Sequence, residues 1–252
     1  MINFIENLAG KIGQKGGKIL TDQKIISVDK KGNKYIIKTE NEIYQSEQLI
    51  STIPVDVLIN LYKQSNEELK QIAGKLRYND LSLIYLFFNK EKIIDENWIF
   101  FPELKYSFNR LSEQKTFSNS TVPEGKTVLC VEITNPKINV LQKEQIINLA
   151  INDLIYLGII KSPNEIYDKC YFKLKNIYPI YDLSYKQNLN HLLDYLDNEG
   201  IITLGRFGLF NYNNIDHCLD MSEKCVKWII SKESIFQWKL IRNTFSEYRI
   251  VD

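Results

Sequence analysis

The sequence predicts an α+β fold in which the two ends of the chain build one domain and the middle builds a second, an antiparallel sheet covered by a helix. Three observations carry that expectation. Phe4, Ile5, Leu8 and Ile12 recur at helical spacing and are followed by short alternating runs, the pattern of a helix and then a small set of strands. Beyond Asp80 the composition turns to aromatic and β-branched residues, and a helical stretch, Lys143 to Leu157, follows the last of these runs. Near the other end, the apolar run Ile201 to Leu204, a glycine-bearing loop and a helical stretch succeed one another within about thirty residues, a strand–loop–helix order.

Taken in chain order, Gly16-Gly17 stops the first helix. Lys18 to Leu20, Lys24 to Asp29 and Lys34 to Thr39 read as strands of an antiparallel meander, with Lys31-Gly32-Asn33 the clearest turn. Gln48 to Ile53 reads as a buried strand ended by Pro54, which has no N–H to donate and fixes the exit direction. Val55 to Lys63 and Asn66 to Leu76 read as short helices. Strand character returns at Leu81 to Phe88, Trp98 to Phe101, Tyr106 to Asn109 and Thr127 to Ile133, with turns at Asn89-Lys90 and around Pro123-Glu124-Gly125. Ser184 to Leu196 is a further helix, and Cys218 to Ile230 the helix after the glycine loop. The expected division is therefore 1–63 with 182–231 as one domain and 64–181 as the inserted one. Residues 232–252 form a terminal helix or a frayed tail.

The stretch Gly205-Arg206-Phe207-Gly208 to Tyr212-Asn213-Asn214-Ile215-Asp216 is the first candidate site. Glycine lets backbone approach a ligand, and the amides of a helix N-terminus are unpaired donors. Asn214 or Asp216 suits the cap of the following helix, and Asp216 complements the positive end of its dipole. A capped connection without any ligand explains the same residues equally well. Arg110, among aromatic residues, has the two-pronged geometry that holds a carboxylate or diphosphate; stacking on neighbouring rings or pairing with a glutamate is the alternative.

Tyr178-Pro179-Ile180-Tyr181, then a helix, then Leu204-Gly205-Arg206-Phe207-Gly208 and Tyr212-Asn213-Asn214-Ile215-Asp216, together resemble the C-terminal part of flavin-containing amine oxidase and protoporphyrinogen oxidase-like proteins, their nucleotide-sugar mutase relatives included. The order helix, double glycine, strands and Ser51-Thr52-Ile53-Pro54 fits the same families, as do Trp98 to Pro102, Phe108-Asn109-Arg110 and Phe117-Ser118. The resemblance implies an FAD-binding domain, here incomplete, with an inserted substrate domain. It implies FAD as cofactor, with Ile25 near the adenine, Pro54 at the strand end beside the cofactor, and Gly205, Arg206, Tyr212, Asn214 and Asp216 against the isoalloxazine and ribityl chain. It implies Arg110, Tyr178 and Tyr181 as substrate-side residues. The families' Gly-x-Gly-x-x-Gly fingerprint after a first strand has no counterpart: neither Gly10-Lys11-Ile12-Gly13 nor Gly16-Gly17 has the spacing or a preceding strand. That dinucleotide-binding half is therefore expected either from a separate chain, as a partner protein, or from the uncut gene, alongside a small-molecule substrate.

Composition narrows the rest. The 252 residues carry 32 Lys+Arg against 31 Asp+Glu, a net charge of +1, which gives no electrostatic case for nucleic acid. Cys130, Cys170, Cys218 and Cys225 form no Cys-x-x-Cys pair and have two histidines for company, so no metal site is expected and a reduced, cytoplasmic setting is the default. No apolar run reaches the length of a transmembrane helix. No Ser-His-Asp set or P-loop competes with the flavin reading. The function classes left are the C-terminal portion of an FAD-dependent oxidoreductase, a UDP-galactopyranose mutase-like flavoenzyme, or a non-catalytic remnant that kept the fold.

Overall fold

The computed structural model describes residues 2–249, and the chain divides into two compact units, residues 1–75 with 184–252 and residues 76–183. The sequence boundary at 63/64 lies twelve residues before the observed one.

The first unit opens with helix α1 (Ile2–Gln14), none of whose residues is buried. Its chain reverses at Gly16, with φ +82°, a conformation glycine adopts without strain. Lys18 to Leu20, expected as a strand, is not one; Ile19 and Leu20 are exposed, because two apolar residues without a pairing partner make no ladder. Strands β1 (Ile25–Lys31), β2 (Lys34–Thr39) and β3 (Ile43–Ser46) form the antiparallel meander, tightly turned at Gly32. Strand β4 (Leu49–Ser51) leaves through Pro54 into α2 (Val55–Leu61), whose Val55, Leu58 and Ile59 are buried. Asn66 caps α3 (Glu67–Ala73) by accepting from Leu69 N at 2.9 Å.

The second unit is a five-stranded antiparallel sheet. Its strands are β5 (Arg77–Phe88), β6 (Trp98–Phe100), β7 (Arg110–Glu113), β8 (Thr127–Ile133) and β9 (Ile166–Ile180), in spatial order β6-β7-β8-β5-β9. Tyr106 to Asn109 is not a strand as expected; Ser107 N and Oγ donate to Asp153 at 2.7 and 2.6 Å instead, holding that segment out of the ladder. Short helices α4 (Gln114–Phe117) and α5 (Pro136–Asn139) precede α6 (Lys143–Tyr156). Ile146, Ile147, Ala150, Ile151 and Leu154 of α6 pack with Ile84, Leu86, Phe88, Leu129, Val131 and Ile133 of the sheet into one buried cluster. The 3.6-residue period of the helix and the two-residue period of the strands point the same apolar set inward. Glu113, wholly buried, accepts from the Ile93 and Ile94 amides and from Thr127 Oγ1, so its carboxylate is satisfied by three donors.

The chain re-enters the first unit through α7 (Tyr185–Asn198), whose Leu189, Leu192, Leu193 and Leu196 are buried. Strand β10 (Ile201–Thr203) lies parallel to β4, Ile201 opposite Leu49. Helix α8 (Gly205–Gly208) and helix α9 (Ile215–Ser231) follow. The segment from 232, expected as a terminal helix or frayed tail, contains α10 (Ile235–Thr244), and its Trp238 is fully buried. Arg242 of α10 reaches Asp194 and Asp197 of α7 at 3.0 and 3.1 Å, and Trp238 Nε1 donates to Asp197 at 3.1 Å. Residues 250–252 of that expectation lie outside the described residues.

Candidate cofactor loop and substrate face

In the first unit, β10 and β4 deliver their C-terminal ends side by side, as parallel strands must. Leu204 N donates to Ser51 O at 2.9 Å, extending that pairing by one bond. Gly205 then turns the chain at φ +76° and α8 packs on the end of β4 so closely that a Cβ at Gly208 would lie 2.8 Å from Ser51 O. The Ser51-Thr52-Ile53-Pro54 exit and the Gly-Arg turn are thus brought together, with Pro54 half-buried at the start of α2. Both glycines are needed for backbone reasons, which a capped connection would also require.

Arg206 points back along its own loop: Nη1 donates to Asn213 O at 3.1 Å and the guanidinium lies 4.5 Å from the centre of the Tyr212 ring. Asn213, 2% exposed, also ties the loop to α9, its side-chain Nδ2 donating to Met221 Sδ at 3.7 Å and its side-chain Oδ1 accepting from Cys218 Sγ at 3.4 Å. Asn214 is the N-cap of α9, and its N–H donates to His217 Nδ1 at 3.1 Å, which leaves Nε2 carrying the proton of the neutral ring. His217 stacks on Tyr248 with ring centres 4.7 Å apart. Tyr248 in turn bonds Asp220, and burial, with Asp220 second, pushes its hydroxyl pKa up. Asp216 stands exposed in the first turn of α9.

Gly205, Arg206, Tyr212, Asn214 and Asp216 therefore form one continuous turn-and-cap, with the β4 exit beside it. Ile25 stands elsewhere in the unit, half-buried at the start of β1 opposite Thr39. The meander connects to the strand before the Gly-Arg turn through Glu199. Lys30 Nζ and Tyr35 Oη donate to its carbonyl at 2.7 Å each, and Tyr62 Oη donates to its carboxylate at 2.6 Å. Burial first and Glu199 next raise the pKa of the Tyr62 hydroxyl, so it remains a donor. Sequence reasoning missed Asn213, Glu199 and Tyr248. Their roles rest on pairings at long sequence separation, except Asn213, whose place before a capping Asn was visible.

The second unit has its own candidate face. Inward residues Leu129, Val131 and Ile133 of β8 alternate with Cys130 and Glu132, which look the other way, and the ladder aligns Phe100, Arg110, Glu132, Leu83 and Phe172 in one row across the sheet. Arg110 lies in that row but is bound two-pronged by Glu132, Nε and Nη2 each at 2.8 Å, with its guanidinium 5.5 Å from the Phe100 ring centre. The pairing with a glutamate and the stacking on a ring, given as the alternative to anion binding, are both present. Beside the pair is an open cavity of about 310 Å³ lined by Trp98, Ser112, Gln114 and Phe117. Glu132 carried no signal by itself; only the register of β7 against β8 puts it opposite Arg110. Cys130, next to it, is no ready nucleophile: burial, followed by the nearby Glu132, pushes its thiol up to about 11. Tyr178 is half-buried on β9 opposite Asn79, and Tyr181 follows the strand end, 46% exposed.

Among the described residues, no cluster of three or more His, Cys, Asp or Glu is placed to hold a metal ion, and no helix is long and apolar enough to cross a membrane. The polar groups of the Gly-Arg loop fit the electron-rich edge of a flavin: a guanidinium, and first-turn amides at the N-terminus of a seventeen-residue helix.

Comparison with known proteins agrees with this architecture. A solved reduced UDP-galactopyranose mutase superposes with a TM-score of 0.81 at 21% identity, over 90% of this chain and 50% of its own. A protein of Exiguobacterium sp. 255-15 assigned as a protoporphyrinogen oxidase gives 0.70 at 15%, over 90% and 51%. A redesigned putrescine oxidase gives 0.58 at 10%, over 84% and 49%. The chain spans about half the length of these structures. The model of the flavin-containing amine oxidoreductase family matches residues 1–186, which include the meander, the β4 exit and the whole second unit but end before the Gly-Arg loop. Flavin is the cofactor of that family, and with nearly three quarters of its sequence matched, this chain belongs to the flavin-containing amine oxidoreductases.

Proposed function

We propose that the chain supplies the cofactor-facing loop and the substrate unit of an FAD-dependent oxidoreductase acting on a C–N or C–C bond of a small organic molecule. The observation that carries the reading is the convergence, within the first unit of a family member, of the β4 exit, the Gly205 turn and the N-terminus of α9. When bound, FAD supplies hydride acceptance. Arg206 and the α9 amides would hold the anionic edge of the reduced ring, Asn213 and Tyr212 fixing the guanidinium in place. Ile25 would lie at the adenine and Pro54 along the cofactor. Arg110, Tyr178 and Tyr181 are proposed on the substrate side. There the Arg110–Glu132 pair, neutral as a whole, favours an uncharged polar or aromatic group beside Trp98 and Phe117 over a free anion.

The experiment is co-expression with a glycine-rich βαβ half and measurement of flavin absorbance in the purified complex. A yellow complex whose flavin is lost or loosened in Arg206→Ala, and retained better in Arg206→Lys, supports the reading. A colourless complex overturns it. The likeness to the mutase fold supports a second reading, a nucleotide-sugar enzyme, in which Arg110 would meet a diphosphate only by releasing Glu132. Protection of the reconstituted protein by a UDP-sugar separates it from an oxidase.

A further inference from the structure

The residues after α10 return to the loop that carries Arg206. A single 3₁₀ turn, Phe245–Glu247, follows that helix, and Phe245 is 1% exposed. Its carbonyl accepts from Asn211 Nδ2 of the loop at 2.9 Å, and its ring stacks on that of Tyr248, centres 5.8 Å apart. Tyr248 stacks in turn on His217, the two rings 11° from parallel, and its hydroxyl donates to Asp220. The strap 245–248 therefore grips the loop at Asn211 and α9 at His217 and Asp220, on either side of the cap residue Asn214.

Histidine is the side chain whose charge ordinarily changes between about pH 5 and 8. Neutral, His217 accepts the Asn214 N–H at Nδ1, 3.1 Å away; protonated, both ring nitrogens are donors, and an N–H at Nδ1 would face the N–H of the cap. A positive ring in the first turn of α9 also stands against the helix dipole. The charged and titratable groups around the ring come from each element that packs there. On α9, Asp216 Oδ2 is 3.8 Å from Nε2, and Lys224 pairs with Asp220 at 2.8 Å and lies 5.5 Å from the Tyr248 ring centre. Cys218 and Arg206 reach the cap through Asn213, and Glu247 and Arg249, on either side of Tyr248, are exposed. Among the described residues, Asp216 is the anion within 4 Å of a ring nitrogen, so protonation disables Nδ1 and finds its counterion at Nε2. We propose that His217 is a proton-operated catch on the cap of the Gly-Arg loop: neutral, it holds the Asn214 amide; charged, it releases that amide and turns to Asp216, while the strap keeps the ring on Tyr248. The catch stands on these contacts alone. Its consequence for a cofactor rests on the flavoenzyme reading: oxidised flavin, whose ring carries no charge, is held better with the catch closed than with it open.

The test is a nitrogen NMR titration of the full chain from about pH 8 to 5, with amide exchange read at both ends. At the upper end the His217 ring should show the proton on Nε2 and none on Nδ1. As pH falls, the Asn214 amide should shift with the same midpoint as the ring, and its protection, corrected for the intrinsic exchange rate, should drop about five- to tenfold, the worth of one hydrogen bond. The buried amides of the second unit keep theirs. His217→Gln, whose side-chain oxygen accepts from the cap N–H at any pH, should hold the cap closed with no pH dependence, and His217→Ala should leave it open throughout. A proton on Nδ1 at the upper end, or Asn214 protection that ignores the titration of the ring, overturns the proposal, as does His217→Gln with the pH dependence of the parent. In a flavin-loaded complex the catch predicts faster loss of oxidised flavin below the titration than above it, and equal loss in His217→Gln; a parent rate that ignores the titration overturns this consequence. A colourless complex overturns the flavin reading and the consequence with it, while the Asn214 readout, taken without flavin, decides the catch itself.

Discussion

The two units close their cores by different means. In the second, an antiparallel sheet and α6 share one apolar cluster, and every central strand has a neighbour on both sides. In the first, the parallel sheet is a pair of strands, α1 lies uncovered, and the late part of the chain is stitched to α7 by charged and hydrogen-bonded groups from α10. The antiparallel unit closes its core on α6, the helix that connects β8 to β9. The parallel one is complete only with the layers that parallel strands require.

The sharpest way to break the contrast is Arg242→Met, which strands the fully buried Asp197 carboxylate and should cost about 3–5 kcal/mol in urea unfolding. A smaller loss would mean that the polar stitching is dispensable. The same pair has a pH signature. Burial, outweighing the lowering by Arg242, pushes Asp197 up to about 6, from 3.8 when unfolded. Between those values the folded chain holds a proton that the unfolded chain releases, so this group makes stability fall as pH rises from about 4 to 6. Unfolding curves of Asp197→Asn across that range should lack this slope.

Leu154→Ala in the second unit opens a cavity at the centre of its apolar cluster and should cost about 2–5 kcal/mol, measured in the same way. Next in size is Gly208→Ala, whose added methyl meets Ser51 O at 2.8 Å; a loss of about 1–3 kcal/mol is expected, together with altered flavin retention in a reconstituted complex. Smallest is Leu8→Ser on α1, within about 0.5 kcal/mol for the isolated chain, since nothing there is buried. A large cost would show that α1 already has a covering partner.

Much of the fold was legible where burial and pattern coincide. Thr127 to Ile133 matches β8 at both ends because its inward residues alternate strictly, and the expected helix 143–157 differs from α6 by one residue. The longest strand, β9, escaped notice because it is a sheet edge: Lys169, Lys173, Lys175 and Asn176 decorate a largely exposed run that carries no apolar alternation. Lys18 to Leu20 misled for the opposite reason, being apolar without a partner. Strand β3 was missed because none of its four residues is buried. In the candidate site, the glycines of the Gly-Arg turn and the capping Asn214 announce themselves locally. Glu132 across from Arg110, and Asp194 and Asp197 beneath Arg242, are fixed by tertiary pairing that no local window contains.

Arg77 opens β5 directly opposite Ile180 at the close of β9, so the polypeptide enters and leaves the second unit through neighbouring backbone positions. A segment whose two ends already touch is a cassette: it can be excised and the gap closed by a turn of a few residues, or exchanged for another of the same gauge, without re-routing the remaining chain. Under the proposed assignment of the second unit to the substrate, preference would be inherited, lost or engineered as a single exchangeable piece, while the loop around Gly205 stays untouched.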